Sequence, residues 1–272
     1  MKITHITSSD KKTLIEIAIE LWNYRYLIIS FSVRDLSVKY FQTFLGPIWL
    51  ILSPLITVGI MTFVFGLMIR IPSDGLPYLL FYLIAIVSWY AFANLLNFTM
   101  SSLEGNLSLI NKVYFPRLVI PFSYGVNVGI DYLVGYVTCI IVCLFYGLNF
   151  LGFVVVAPLL FVIQVMWAMG LGLWIAPLNA KYRDVKHVIP LFLQVYYFAN
   201  PILYPTSIAP SWAKWVYDIN PLSSCITILR KTISGGNIEI FPIYVSLIIS
   251  IVVFLSGVKN FEAHAAKSVD VL

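Results

Sequence analysis

The sequence predicts an all-α protein that crosses a membrane six times. Only 11% of its 272 residues are charged and 60% are hydrophobic, whereas a soluble domain carries roughly a quarter charged residues. The mean hydropathy of +0.92 points the same way. The charges are also grouped, and the gaps between them suit the roughly 20 apolar residues that a helix needs to cross a bilayer. We therefore expect residues 1–272 to form one polytopic transmembrane domain.

Each expected span lies within a charge-free segment. The exception is 118–180, which contains a single charge, Asp131, and is too long for one helix. Turn residues at 146–149 divide this segment into two spans. The six predicted transmembrane spans are residues 44–69, 77–100, 118–146, 151–177, 188–204 and 240–258.

The distribution of Lys and Arg predicts the orientation. An even number of spans places both termini on the same side of the membrane. The termini and the loops at 101–117 and 178–187 contain 13 of the 17 basic residues, so the positive-inside rule places them in the cytoplasm. Residues 1–10 are polar and lack the apolar core of a cleavable signal peptide. The net charge of +5 favours contact with lipid headgroups and not with nucleic acid.

Residues 10–25 predict an amphipathic interface helix ahead of the first span. Trp22 lies beside its apolar face, and Ser8, Ser9 and Asp10 are candidate N-caps. The apolar face consists of Leu14, Ile17, Ala18 and Leu21. Such a helix floats at the lipid interface or docks a soluble partner, and the sequence leaves both alternatives open.

Three further segments are expected to have defined structure. Gly46-Pro47 marks a bend where the charged segment after the interface helix enters the first span. The cytoplasmic loop 101–117 is longer than the roughly two to eight residues that a plain connector needs, so it predicts a helix of one or two turns. The Pro-containing external segment 205–237 predicts one or two short re-entrant helices that cover a pathway like a gate.

No motif predicts catalysis or a bound cofactor. The sequence contains no phosphate-binding loop of the G-x-x-x-x-G-K-[ST] type. ISGGN at 233–237 resembles the signature motif of ATP-binding cassettes, but it lies in the external segment and is better explained as a turn. His187 has no second ligand at metal spacing, and Cys139, Cys143 and Cys225 are interpreted as small buried hydrophobes. We therefore expect no enzymatic activity, no metal and no cofactor bound by this chain.

Polar residues inside the spans are the first candidates for a substrate pathway. Ser123, Asn127 and Asp131 recur every four residues, which also suits hydrogen bonding between helices. A lone carboxylate such as Asp131 must be paired or protonated. The aromatic clusters form interface belts and core, or they line a conduit in which sugar rings slide. The candidate pathway residues are Trp89, Tyr90, Phe92, Asn94, Asn97, Asn127, Asp131, Tyr196, Tyr197 and Tyr204.

Four segments resemble a known family, in the same order along the chain. They are RDLSVKYFQTFLGPIWLILSP at 34–54, LINKVYFPR at 109–117, NAKYRDVKHVIP at 179–190 and NPILYP at 200–205. The first and the third are the more specific. Together they resemble the membrane subunits of ABC-2 type exporters of bacterial cell-surface polysaccharide, which include O-antigen, capsule and teichoic acid transporters.

The resemblance implies a homodimer in the bacterial inner (plasma) membrane, joined to two copies of an ABC ATP-binding subunit that uses ATP and Mg²⁺. A lipid-linked polysaccharide would pass outward between the protomers. The resemblance also implies that the interface helix lies against the ATPase and that 101–112 is the coupling helix. The candidate ATPase-coupling residues are Arg34, Asp35, Lys39, Glu104, Asn106, Leu109, Asn111, Lys112, Arg183 and Asp184.

Other functions are weighed against this exporter. For the cargo, O-antigen or capsule is favoured and teichoic acid is the alternative. An ion-coupled secondary transporter is less favoured, because it needs several intramembrane charges and an internal repeat, whereas one carboxylate is present. A membrane-bound glycosyl- or acyltransferase would need a cluster of Asp, Glu or His at a membrane face, and the sequence contains none.

Overall fold

A computed structural model describes residues 12–41, 44–182 and 184–269. All regular secondary structure in these ranges is helical, which confirms the predicted all-α class. The α-helices are α1 (Leu14–Asn23), α2 (Arg25–Phe41), α3 (Trp49–Met61), α4 (Tyr78–Met100), α5 (Leu107–Ile110), α6 (Val119–Phe145), α7 (Leu151–Lys181), α8 (Val185–Ala199), α9 (Lys214–Ile219), α10 (Pro221–Ser234) and α11 (Ile240–Val269).

Five helical segments among the described residues are long and apolar enough to cross a membrane. They are Gly46–Met68, Tyr78–Met100, Val119–Phe145, Leu151–Lys181 and Ile240–Ala265. They correspond to the first four predicted spans and to the sixth. The predicted multi-pass membrane character is therefore confirmed.

The fifth predicted span, 188–204, is not among these segments. The helix there, α8, has 15 residues, or about 22 Å at 1.5 Å per residue, against ~30 Å of hydrocarbon. It ends at Asn200, whose ψ of 155° is extended, because the following Pro201 disfavours the helical conformation at this position. The count of six full-length spans is therefore not confirmed.

The first span is built from three kinds of helix. It starts with the 3-10 turn Gly46–Ile48, continues as α3 and ends in the π-helix Thr62–Met68. Gly46 has a φ of +52°, which favours glycine, and Pro47 stands in the first turn, where its missing N–H costs nothing. The bend predicted at this pair is present.

The helix α4 is the centre of the bundle. Of an 18-residue apolar stretch of α4, 83% is buried, and the helix packs against α3, α6, α7 and α10. On the other side of the bundle α7 packs closely along α11, where a Cβ on Gly257 would lie 2.6 Å from the carbonyl oxygen of Gly170. Close backbone approach through glycine is typical of helices that pack in lipid.

Residues 205–237 contain the two short α-helices α9 and α10; their predicted re-entrant insertion stays a prediction. The second, α10, is capped by Asn220, whose side chain accepts a hydrogen bond from Leu222 N, and it carries Pro221 in its first turn. It ends at Gly235, which has a φ of +74°, so the glycine pair in ISGGN forms a helix C-cap. Ten residues of α10 are buried, and the helix lies against α4, α7 and α11.

The buried face of α10 includes Arg230, whose burial the sequence analysis did not predict. Its side chain is only 6% exposed. The guanidinium donates hydrogen bonds to the carbonyl oxygens of Phe81, Pro201 and Ile202, at 2.6–3.2 Å, and lies 3.4 Å from the centroid of the Phe81 ring. Burial lowers the pKa of Arg230 to about 9, which leaves it charged at neutral pH. Arg230 thereby joins α10 to α4 and to the chain after α8.

Candidate functional site: coupling surface and intramembrane cavity

The predicted interface helix corresponds to α1, which begins later than expected. Thr13 caps it, accepting a hydrogen bond from Glu16 N at 3.3 Å, while the Glu16 carboxylate accepts one from Thr13 N at 2.9 Å. This is a capping box, which satisfies two otherwise unpaired backbone N–H groups. The candidate caps Ser8, Ser9 and Asp10 lie outside the described residues.

The predicted apolar face of α1 packs against the bundle. Ile17 is buried, and Leu14 and Leu21 are partly buried against the same core. Ala18 is exposed, contrary to the prediction that it shares this face. Lys12 lies 2.6 Å from Glu20 and 3.4 Å from Glu262, which joins the start of α1 to the end of α11. A second apolar face, formed by Ile15, Ile19 and Trp22, is exposed.

The charged segment after α1 is the 17-residue helix α2, which packs along α6. Ser32 Oγ donates to the carbonyl oxygen of Ser123 at 3.0 Å, and eight residues later Tyr40 meets Asp131, eight residues along α6. The two helices therefore run in the same direction over about 12 Å. The sequence did not predict this packing, because the polar residues Ser123, Asn127 and Asp131 of α6 do not indicate which helix they contact.

Asp131 is paired, one of the two states predicted for it. Lys39 Nζ lies 2.5 Å from Asp131 Oδ2, and Tyr40 donates its hydroxyl proton to Asp131 Oδ1 at 2.7 Å. Burial, followed by the hydrogen bond to Asp131, raises the pKa of Tyr40, so its hydroxyl remains a donor at physiological pH. A candidate coupling residue, Lys39, and a candidate pathway residue thus form one ion pair.

Other charges of α2 stay at the surface. Arg34 pairs with Asp35 at 2.7 Å, and its guanidinium lies 5.0 Å from the Phe31 ring centroid. Phe31 in turn packs edge-on against Phe115 at 5.6 Å. These contacts place α2 against the loop that follows α5.

The loop 101–117 contains the 3-10 turn Glu104–Asn106 and the single-turn helix α5. Asn106 is buried and donates to the Tyr124 hydroxyl at 2.9 Å, so it fastens the loop to α6. Leu109 packs against the Phe115 cluster. Among the candidate coupling residues, Asn111 and Lys112 are exposed.

Glu104 connects this loop to the junction between α7 and α8. Its carboxylate accepts a hydrogen bond from Asn179 Nδ2 at 3.2 Å and lies 3.8 Å from Lys186 Nζ. The loops 101–117 and 179–190 are therefore adjacent, as a common coupling surface requires. Asp184 is exposed beside this junction, and Arg183 lies outside the described residues.

The two aromatic clusters predicted in separate spans form one group. Trp89 and Phe92 of α4 lie 5.1–6.3 Å, centroid to centroid, from Tyr196 and Tyr197 of α8. Phe92 is fully buried, so its ring belongs to the core. Tyr204 lies elsewhere: it donates to the Phe198 carbonyl oxygen at 2.9 Å.

A polar network that the sequence analysis missed surrounds Tyr196. Trp167 Nε1 donates to the Tyr196 hydroxyl at 3.2 Å, which donates to Asn220 Oδ1 at 2.6 Å. Asn220 Nδ2 and Ser223 Oγ both donate to Asn200 Oδ1, at 3.1 and 2.7 Å. The network ties the end of α8 to the start of α10. The repeated Asn-Pro pair at 200–201 and 220–221 is the sequence signal that could have revealed it.

A cavity of about 370 Å³ lies between α2, α3, α4 and α6. Three candidate pathway residues line it: Tyr90, Asn94 and Asp131. Tyr90 is hydrogen-bonded to Thr57 of α3 at 2.9 Å. Asn127, only 7% exposed, and Asn97 do not line this cavity, so the structure brings together only part of the predicted set.

The described residues offer no site for a metal. In the ranges 12–41, 44–182 and 184–269, no three His, Cys, Asp or Glu side chains are placed to hold an ion. Cys139, Cys143 and Cys225 are free and buried, as small hydrophobes would be.

The sequence profile of the ABC-2 type transporter family matches residues 26–234. This chain belongs to that family. The matched region runs from the start of α2 to the end of α10, so it contains the ion pair, the cavity and the loops at 101–117 and 178–187 of this ABC-2 chain.

Several curated proteins resemble this ABC-2 chain along most of its length. The O-antigen export system permease protein RfbA of Klebsiella pneumoniae is 26% identical over 247 residues, covering 90% of this chain and 95% of the relative. RfbA of Myxococcus xanthus is 25% identical, covering 92% and 97%. The polysialic acid transport protein KpsM of Escherichia coli is 22% identical, covering 76% and 81%. The family resemblance inferred from the four sequence segments is confirmed.

Proposed function

We propose that this chain is the membrane subunit of an ATP-driven exporter that moves a lipid-linked cell-surface polysaccharide, of the O-antigen or capsule type, out of the cytoplasm. The observation that carries the proposal is the near full-length similarity to export permeases whose names specify O-antigen or polysialic acid. Membership of the ABC-2 family supports a separate ABC ATP-binding partner, because this sequence contains no phosphate-binding loop of its own.

The cytoplasmic loops provide a route for the force of ATP hydrolysis. The exposed side chains of Asn111 and Lys112, with Tyr114 at 77% exposure, form the surface that contacts the ATP-binding subunit. The Glu104 contacts to Asn179 and Lys186 pass a displacement of this loop directly to the ends of α7 and α8. Both termini are cytoplasmic in this arrangement, and two ATP-binding subunits serve a homodimer.

The substrate pathway lies between the two protomers. The half-exposed face of Tyr197 and the external segment around Tyr204 supply aromatic surface for sugar rings. In this proposal α8 and residues 200–204 together complete the fifth of the six crossings, and α9 and α10 cover the exit. An ion-coupled mechanism is disfavoured, because Asp131 is already paired with Lys39.

Co-purification with the ATP-binding subunit tests the proposal. The tagged full-length chain is co-expressed with the candidate subunit, and we expect a stable complex whose ATPase activity differs from that of the isolated subunit. A chain that neither binds nor alters that subunit would overturn the assignment.

Charge reversal at Glu104 tests the route of coupling. Glu104→Lys places a cation beside Lys186 and removes the acceptor for Asn179, so we expect surface polysaccharide to fall at least tenfold while membrane insertion is unchanged. Lys112→Glu, which alters only the exposed surface, is expected to weaken binding of the ATP-binding subunit. The matched control is Glu239→Lys in the external segment. Normal export by Glu104→Lys would refute this route.

A further inference from the structure

The cavity between α2, α3, α4 and α6 has the character of an amphiphile site. Its volume of about 370 Å³ falls within the roughly 300–1,000 Å³ typical of ligand pockets. Val87, Ala91 and Val128 provide apolar walls. Trp49, which also lines the cavity, is 43% exposed. Because only 6% of an 18-residue apolar stretch in the first span is buried, the α3 side of the cavity lies at the outer surface of this chain.

The charged groups of the cavity are one ion pair. Among the described residues that line it, Lys39 and Asp131 carry the charges, at a separation of 2.5 Å. Their side chains are 40% and 18% exposed, so a ligand in the cavity can reach both. Tyr40 adds a hydroxyl that donates to the carboxylate at 2.7 Å.

The pair restricts which headgroup can enter. Away from water, separating two paired ions is strongly unfavourable unless each finds a new partner. An anionic headgroup compensates Lys39 but leaves Asp131 alone, and a cationic group does the reverse. A zwitterion with a phosphate and a primary ammonium compensates both with charge-assisted hydrogen bonds, and the net charge of the cavity stays zero.

We propose that this cavity binds a resident phospholipid with a phosphoethanolamine headgroup. The phosphate pairs with Lys39, the ammonium donates to Asp131, and an acyl chain lies along Val87, Ala91 and Val128. The lipid then bridges α2 and α6 in place of the direct ion pair. It is distinct from the exported cargo, so the inference requires the membrane location of the chain and not the identity of the polymer.

Lipid competition on the purified full-length chain tests this site. The delipidated chain is incubated with dioleoyl phosphatidylethanolamine, phosphatidylcholine or phosphatidylglycerol, and bound lipid is counted by native mass spectrometry. We expect phosphatidylethanolamine to bind at least tenfold more tightly than phosphatidylcholine, whose trimethylammonium has no N–H for Asp131. We also expect it to bind more tightly than phosphatidylglycerol, which lacks the cation.

Two single variants are expected to change the lipid preference in different ways. Asp131→Asn leaves the Lys39 ammonium unpaired, so phosphatidylglycerol becomes the preferred lipid. Lys39→Met removes the partner of the phosphate, so the preference for phosphatidylethanolamine disappears without any gain for phosphatidylglycerol. Asp74→Asn, in the external loop before α4, is the control and retains the wild-type order.

Several outcomes would overturn the proposal. It fails if the wild-type chain binds phosphatidylethanolamine no more tightly than phosphatidylcholine, if phosphatidylglycerol binds most tightly, or if Asp131→Asn keeps the wild-type order. Should the single variants aggregate, the charge-exchanged double variant Lys39→Asp/Asp131→Lys keeps the pair. It is expected to keep the preference for phosphatidylethanolamine, and either loss of that preference or failure to fold counts against the site. None of these readouts depends on export, so they are separable from the proposed function.

Discussion

The first two spans, Gly46–Met68 and Tyr78–Met100, have the same length of 23 residues, but they differ in burial. Of an 18-residue apolar stretch in each, 6% is buried in the first span and 83% in the second. Both are similarly apolar, so the difference comes from position: α4 is enclosed by four other helices, whereas α3 packs mainly on α4 and α6. The exposed α3 faces lipid or another protomer. Hydropathy predicts that a segment lies in an apolar environment, but it does not distinguish contact with other helices from contact with lipid.

The strongest test of this contrast is a pair of large-to-small substitutions. Phe92→Ala in α4 removes a fully buried ring and should lower the free energy of unfolding by about 3–5 kcal/mol. Ile60→Ala in α3, at a side chain that is 61% exposed, should change it by less than about 1 kcal/mol. Unfolding of the purified full-length chain in detergent measures both. Equal losses would mean that α3 is as firmly packed as α4.

Arg230 tests whether α4 also anchors α10. Arg230→Met removes the donors for the Phe81, Pro201 and Ile202 carbonyl oxygens and should cost about 2–3 kcal/mol, because buried acceptors lose their partners. Lys231→Met, which breaks a 3.4 Å exposed pair with Glu239, should cost less than about 1 kcal/mol. Thermal unfolding compares the two. If they match, Arg230 does not hold α10 on α4.

Glycine substitutions sharpen the same contrast on a smaller scale. A Cβ at Gly172 of α7 would lie 2.6 Å from Thr99 Cβ of α4, so Gly172→Ala should cost about 1–2 kcal/mol through overpacking. Gly59 of α3 has no atom within 4 Å of the added Cβ, and Gly59→Ala should be neutral or slightly stabilising in a helix. Melting temperatures of the two variants give the comparison. A stable Gly172→Ala chain would show that α4 and α7 can move apart.

The smallest expected effect lies at the entry to the first span. Gly46→Ala places a side chain at a φ of +52°, which should cost about 1 kcal/mol. Pro47→Ala should change stability by less, since its gain of an N–H is harmless in the first turn. Export by the double Ala variant, measured as surface polysaccharide, shows whether the bend itself matters. Unchanged stability in Gly46→Ala would contradict the left-handed conformation.

Much of the fold was predictable because charges mark where helices leave the membrane. Five of the predicted spans, the bend at Gly46 and the short helices in both long loops follow from gaps between charges and from Gly and Pro. The predicted fifth span was not confirmed, because a charge-free gap does not reveal that α8 stops at Asn200. Hydropathy also could not show that Arg230 is buried, since three backbone carbonyls compensate it and backbone groups leave no trace in composition.

The candidate site was less predictable than the fold. Family resemblance implied that the loop 101–117 contains the coupling helix. It did not predict the hydrogen bond between Glu104 and Asn179, which are 75 positions apart in the chain. Lys39 was predicted to serve the ATPase-coupling surface, and its pairing with Asp131 of α6 could not be predicted from its position in the chain.

The sequence by itself determined that this chain is helical, lies in a membrane and belongs among ABC-2 transporters, because apolar run length, charge spacing and family segments are local properties. Only the tertiary structure decided which apolar helix is enclosed, that α2 runs along α6, and that Asp131 meets Lys39. Each of these depends on contacts between segments far apart in the chain, where several partners satisfy the same local pattern and packing selects one.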